Sequence, residues 1–123
     1  EYIITRGDAE HLDGRLETGI IFFGHTHLQG GFRILRGQVM EIPRPTPLDT
    51  ESVPIEEDSY YLLNPGSVGQ PRDQDPRAAY AVYDSDSKLY TMHRVEYDIA
   101  SAQRKILDAG LPEKLAFRLS IGR

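Results

Sequence analysis

Short apolar runs separated by polar turns occupy the first part of the chain. Residues 18–23 form such a run and predict a buried strand. Residues 32–35 and Gln38–Ile42 are two more, and the Arg-Gly pair between them predicts an antiparallel hairpin. Residues 60–63 predict a further strand. This part of the chain is therefore expected to form a sheet.

A second hairpin and two helices are predicted towards the end of the chain. Residues 78–83 and 88–97 are two strand-like runs on either side of the polar turn Asp-Ser-Asp-Ser. Asp98 then caps a helix that Gly110 ends, and Pro112 begins another. The apolar faces of these two helices consist of Ile99, Ala102, Ile106 and Leu107 in the first, and Leu115 and Leu119 in the second.

A short helix is also predicted near the beginning of the chain. Asp8 is its expected cap, Leu12 and Leu16 lie four residues apart on one face, and Gly19 is its expected end. Together, these elements predict an α/β fold with a mixed sheet and antiparallel hairpins.

Residues 43–58 differ in character from the segments on either side. Four prolines and five acidic residues exclude a regular helix or a central strand. We expect a solvated, mobile loop, and the alternative is a lid or partner-binding loop beside a functional site.

Composition narrows the possible classes of function. A chain of 123 residues with 39% hydrophobic and 27% charged residues is typical of one globular domain. The net charge of −5 gives no nucleic-acid footprint and no attraction to anionic membranes, and no apolar run is long enough to span a bilayer. The absence of cysteine excludes disulfides and thiolate metal sites and fits a cytoplasmic protein. The oligomeric state is not predictable. Because the chain begins without methionine, we expect it to be part of a longer protein.

Two histidines follow directly after the first predicted strand, in the sequence Gly24-His25-Thr26-His27. Gly24 is expected to let the backbone bend, so that both imidazoles can reach neighbouring metal ions. A His-x-His pair alone is a weak signal, and surface or capping histidines are the alternative. His11 and His93 are interpreted as surface or packing residues.

A loop rich in glycine follows the strand at residues 60–63. Its glycines, its serine and its backbone N–H groups can form an anion-binding concavity, and Arg72 or Arg77 can pair with a phosphate. The candidate substrate-binding residues are Asn64, Gly66, Ser67 and Arg72. The alternative is a structural connection whose arginines bind Asp73, Asp75 or backbone carbonyls.

The Gly-His-Thr-His motif and the Asn-Pro-Gly-Ser-Val-Gly-Gln-Pro-Arg run together resemble the calcineurin-like metallophosphoesterases, in the small bacterial and archaeal phosphodiesterase branch. The resemblance covers residues 18–97. It implies that residues 1–123 are the C-terminal half of a four-layer αββα sandwich.

The same resemblance implies a phosphoester hydrolase with two divalent metal ions, Mn, Ni, Fe or Zn. His25 and His27 would each bind one ion, and a bridging hydroxide would attack a small phosphoester substrate. The amino-terminal ligand motifs of the family are absent here, so the missing half of the same chain would supply them. We therefore expect the full-length protein to be the enzyme and these 123 residues alone to be inactive. The alternative is a catalytically silent protein-binding scaffold.

Overall fold

A computed structural model describes residues 3–12 and 18–123. Three helices and seven strands occur in this part of the chain. In chain order they are α1 Arg6–Glu10, β1 Ile20–Phe22, β2 Gly30–Leu35, β3 Gln38–Ile42, β4 Thr50–Pro54, β5 Tyr60–Asn64, β6 Ala78–Asp84, β7 Leu89–Val95, α2 Ile99–Asp108 and α3 Glu113–Ile121.

The first sheet is mixed and has the strand order β1-β5-β2-β3. β1 pairs with β5 in parallel, whereas β2 is antiparallel to both β5 and β3. The predicted hairpin of β2 and β3 is therefore confirmed. The central strand β5 is buried on both faces, because Leu62 packs towards α1 while Tyr61 and Leu63 point to the opposite side.

The second sheet is antiparallel and has the order β4-β7-β6, which confirms the predicted hairpin of β6 and β7. Its apolar face packs on the first sheet, where Tyr90 and Met92 of β7 join Tyr61 and Leu63 in one core cluster. Inward-facing residues of β7 follow the two-residue period of a strand, and the next one after Met92 is Arg94, which is buried.

The helix near the beginning of the chain starts earlier than predicted, and its cap is a different residue. Thr5 is the N-cap of α1, and Asp8 completes a reciprocal capping box three residues later. The helix ends at Glu10 with His11 as its C-cap, so the prediction that Gly19 ends it is wrong. Leu16 lies outside the described residues.

The two helices at the end of the chain are confirmed. The Asp98 side chain accepts a hydrogen bond from the Ser101 amide at the start of α2. Leu119 of α3 is buried, whereas Leu107 of α2 is 46% exposed and does not belong to the buried face predicted for it. None of the helices in the described ranges has the length and apolar composition that crossing a membrane requires.

Residues 43–58 are only partly a loop. Thr50–Pro54 forms strand β4, which pairs with β7 at the edge of the second sheet. A proline is tolerated at an edge strand, where a missing backbone donor costs no interior hydrogen bond. The prediction of an entirely irregular segment is therefore wrong for residues 50–54. The buried strand predicted at residues 18–23 is also shorter, and Phe22 is 54% exposed.

Candidate functional site

The loop after β1 has an unusual backbone conformation. His25 and His27 both have positive φ angles, 75° and 62°, although neither is glycine. Gly24 is not among the glycines with positive φ, and a Cβ there would meet no atom within 4 Å. The bend expected from Gly24 is therefore made by the two histidines. A left-handed conformation costs a non-glycine residue about 1–3 kcal/mol and is concentrated at functional sites.

The ring of His27 is held in one orientation. Its Nδ1 atom lies 2.7 Å from the backbone carbonyl oxygen of Gln70. Since a carbonyl oxygen can only accept a hydrogen bond, Nδ1 donates and carries the proton. The Nε2 atom then keeps its lone pair. This is the arrangement by which outer groups orient metal-binding histidines, so His27 fits a metal ligand.

Thr26, between the two histidines, is tied to the end of β5. Its hydroxyl accepts hydrogen bonds from Asn64 Nδ2 at 2.9 Å and from the Leu28 amide at 3.4 Å. Asn64 is 2% exposed, and its Oδ1 atom accepts from the Gly66 amide at 2.9 Å. Asn64 thereby connects the histidine loop to the glycine-rich loop.

The glycine-rich loop is shaped by close packing. Gly66 has a φ of 86°, and a Cβ there would lie 2.7 Å from the Cβ of Ala79. Only glycine is accommodated at this position without displacing β6. Ser67 Oγ accepts from the Gln70 amide at 3.0 Å, and this bond links Ser67 to the residue whose carbonyl contacts His27.

Arg72 lies next to the contact between His27 and Gln70. Its amide donates to the His27 carbonyl at 3.2 Å, and its exposed guanidinium donates to Gln70 Oε1 at 2.8 Å. The structure therefore brings His27, Asn64, Ser67 and Arg72 into one connected group. Their roles in binding a metal or a substrate stay predictions.

Arg77 has the structural role proposed as the alternative for this loop. Its guanidinium pairs with Asp75 at 2.8 Å and with Asp49 at 2.6 Å. Burial raises the pKa of Asp75, but hydrogen bonds from Arg77 and Thr46 outweigh it and hold this pKa well below its ordinary value. These contacts fasten the end of the glycine-rich loop to the segment before β4.

His11 and His93 have contacts outside this group. His11 caps α1 and is exposed, and His93 stacks on Tyr80 with ring centroids 4.7 Å apart. His25 is exposed on the loop. Within residues 3–12 and 18–123, no group of three or more histidine, cysteine, aspartate or glutamate side chains could hold a metal ion. The described residues thus do not form a complete metal site by themselves.

Three buried residues lie behind the loops: Gln29, Asp73 and Arg94. Asp73 was predicted as a partner of Arg72 or Arg77, whereas Gln29 and Arg94 were missed from the sequence. Arg94 Nε donates to Gln29 Oε1 at 2.8 Å, and its terminal nitrogen pairs with Asp73. The position of Arg94 was recognisable, because residues 90, 92 and 94 share one face of a strand and the first two are apolar.

A cleft of about 500 Å³ lies beside the histidine loop. Thr26, Asn64 and Arg72 line one part of it, and Phe23 and Phe32 line another. Polar groups of the loop therefore face a space with an apolar wall.

The chain is similar to two known proteins, one by sequence and one by sequence and structure. No protein-family model matches the chain. An uncharacterized protein of Methanocaldococcus jannaschii is 37% identical over 110 residues, covering 85% of this chain and 40% of that protein. A metallophosphoesterase from Sphaerobacter thermophilus, known from its crystal structure, is 38% identical with a TM-score of 0.85. This match covers 100% of the present chain and 51% of the other.

The chain is metallophosphoesterase-like. Its α/β architecture, with a mixed sheet and antiparallel strands, matches about half of a metallophosphoesterase fold. The resemblance inferred from the two motifs is thereby confirmed. The chain spans about half the length of the relatives it matches. Its assignment to the C-terminal half stays a prediction.

Proposed function

We propose that the full-length protein is a metal-dependent phosphoester hydrolase, and that His25 and His27 are two of its metal ligands. The observation that carries this proposal is the hydrogen bond from His27 Nδ1 to the Gln70 carbonyl. In the neutral imidazole it leaves Nε2 as the atom with a lone pair, and the His27 backbone has a positive φ, a conformation that is concentrated at functional sites. The likeness to a metallophosphoesterase supports the same assignment.

Two divalent cations, Mn, Ni, Fe or Zn, would supply neutralisation of the phosphoryl charge and activation of the attacking water. The protein's own task is to hold the imidazoles in place before substrate arrives. Gln70 orients the ring of His27, and Thr26 links the loop to Asn64. This bracing limits the reorganisation that ligand binding would otherwise require.

Arg72 and Ser67 are the proposed contacts to the phosphoester. The Arg72 guanidinium is exposed, lines the cleft and uses one side-chain hydrogen bond within the described residues. Its other N–H groups can donate to phosphate oxygens. The Ser67 hydroxyl accepts from Gln70, so its own proton is available to a ligand. Asn64 and Gly66 contribute by shaping the loop.

The remaining metal ligands would come from the other half of the full-length protein. Two imidazoles are too few for a dinuclear site, which needs about three protein ligands for each catalytic ion. β1 is an edge strand of the first sheet, with β5 as its strand partner within the described ranges, so its other edge can pair with a further strand.

A metal-removal assay tests the proposed function. The full-length protein, loaded with Mn²⁺, is expected to hydrolyse an aryl phosphodiester such as bis(p-nitrophenyl) phosphate. Exhaustive chelation should abolish turnover, and added Mn²⁺ should restore it. Binding of Mn²⁺ without hydrolysis of phosphodiesters or phosphomonoesters would favour the silent scaffold instead.

A further inference from the structure

A buried arginine of the second sheet connects both loops of the candidate site. Arg94 lies on β7, and its side chain is 0% exposed. Its Nε donates to Gln29 Oε1 at 2.8 Å, and one terminal nitrogen pairs with Asp73. The other terminal nitrogen donates to the carbonyls of Arg77 at 3.3 Å and Asp75 at 3.4 Å. All three nitrogens of the guanidinium therefore have partners.

Gln29 is fixed as completely as Arg94. Its amide donates to Asp73 Oδ2 at 3.1 Å. Its side-chain nitrogen lies within hydrogen-bond distance of three backbone carbonyls, those of Pro65, Tyr80 and His93. Gln29, Asp73 and Arg94 thus form one buried polar unit, named the Arg94 clamp below.

The Arg94 clamp is adjacent in sequence to both contacts that hold His27. Gln29 comes two residues after His27. Asp73 follows Arg72, whose amide donates to the His27 carbonyl, and it lies three residues after Gln70, whose carbonyl accepts from the His27 ring. The clamp therefore anchors the histidine loop and the glycine-rich loop to a common point.

A buried ion pair is weak evidence for stability, because desolvation offsets much of its attraction. Its better-supported use is to specify one conformation. At Asp73 the cost of desolvation is only partly offset, since its Oδ1 atom is buried and has no hydrogen-bond partner among the described residues. The charge of this carboxylate is compensated by Arg94, and the same carboxylate accepts from the Gln29 amide, so the pairing holds Gln29 and Asp73 together.

We propose that Arg94 is a positioning residue of the metal site: through Gln29 and Asp73 it sets the orientation of the His27 ring. This inference rests on the proposed function, because the orientation matters only where His27 binds a metal ion. Lysine at this position keeps the charge but has one nitrogen, which cannot reproduce the separate bonds to Asp73, Gln29 and the two carbonyls.

The test compares Arg94→Lys with Arg33→Lys in the full-length protein. Arg33 is a matched control because it is also multiply bonded, to Ser59 and Glu56, and it sits on β2 away from the histidine loop. Calorimetric titration with Mn²⁺ should show a dissociation constant about 10-fold larger for Arg94→Lys than for wild type. This is the lower end of the effect of losing a group that orients a ligand. Arg33→Lys should bind like wild type.

A second readout examines the ring itself in the metal-free protein. Nitrogen-15 NMR of the His27 imidazole should show the tautomer with the proton on Nδ1 in wild type and in Arg33→Lys. Arg94→Lys should show a mixture of tautomers. A purely structural role would lower the melting temperature in both lysine variants without changing the tautomer in either.

Two results would overturn the inference. One is unchanged Mn²⁺ affinity in a folded Arg94→Lys variant, and the other is equal weakening in both lysine variants. If Arg94→Lys does not fold, Asp73→Asn replaces it, because asparagine keeps the size of the side chain. Wild-type Mn²⁺ affinity in Asp73→Asn would also overturn the inference. A wild-type protein that binds no Mn²⁺ would instead refute the proposed function, and the inference with it.

Discussion

At the scale of single residues, the candidate site consists of side chains fixed by backbone atoms. His27 is oriented by a carbonyl, and Asn64 closes a turn on the Gly66 amide. Sequence motifs located these residues because their spacing is local. Gln29, Arg94 and the pairing of Asp73 with Arg94 were not predicted, because these contacts join positions as far as 65 residues apart. Only the strand period at Arg94 marked one of them as facing inwards.

The two histidines of the motif provide the first prediction. His25→Ala and His27→Ala should each reduce turnover of the full-length protein by roughly 10- to 100-fold or more, because each variant removes a proposed ligand. His11→Ala and His93→Ala are the controls and should retain wild-type turnover, since His11 caps α1 and His93 stacks on Tyr80. Phosphodiesterase rates at saturating Mn²⁺ measure this. Full activity in both motif variants would contradict the assignment.

Asp75 provides a prediction about pH and stability. Burial opposes its charge, but Arg77 and Thr46 hold its pKa below the ordinary value, so the folded state prefers the ionised carboxylate. Its contribution is therefore complete above the unfolded-state pKa, about 3.9, and is lost as the pH falls below that value towards the folded-state pKa. Asp75→Asn should lower the free energy of unfolding at pH 7 by about 1–3 kcal/mol.

Urea unfolding of wild type and Asp75→Asn at pH 7, 5 and 3 measures this effect. The difference in free energy between the two proteins should be similar at pH 7 and 5 and smaller at pH 3. A difference that stays constant over this range would show that the charge of Asp75 contributes nothing to folding.

At the scale of elements, the predictions succeeded where local patterns determine structure. Short apolar runs, turn residues and caps predicted both hairpins and the two helices at the end of the chain, α2 and α3. The segment at residues 43–58 was misjudged because prolines exclude an interior strand but not an edge strand. β4 pairs with β7, which is distant in the sequence, so the pattern within residues 43–58 could not reveal this pairing. The first helix was shifted because Thr5 and Asp8 are both capping residues, and their reciprocal bonding decided which one is the N-cap.

Proteolysis with a glutamate-specific endoprotease tests the strand at residues 50–54. Glu51 lies within β4 and pairs with Met92, whereas Glu56 and Glu57 follow the strand and are exposed. Among these three bonds, cleavage after Glu56 or Glu57 should therefore precede cleavage after Glu51, since a peptide bond in a paired strand must open before it is cut. Mass spectrometry of early fragments identifies the site. First cleavage after Glu51 would show that β4 is not stably paired.

At the scale of the whole molecule, α1 and the two sheets form packed layers, and the candidate site lies in the loops at one end of them. α1 covers one face of the first sheet, and the second sheet covers the other. The loops that carry His25, His27 and Arg72 meet at one end of this arrangement. Composition and motifs predicted the α/β fold. The proposed metal site needs ligands beyond the two histidines, and the chain spans about half the length of the relatives it matches.

The last prediction concerns this incompleteness. The isolated 123-residue chain should fold, because its two core clusters are formed by its own residues, but it should show no Mn²⁺-dependent phosphodiesterase activity. Its described residues offer no group of three or more metal-binding side chains, and two imidazoles are too few to hold two ions. The comparison uses equal concentrations of the isolated chain and the full-length protein, with circular dichroism to establish that both are folded. Hydrolysis by the isolated chain at the full-length rate would place the whole metal site within these residues and would contradict the need for ligands from another segment.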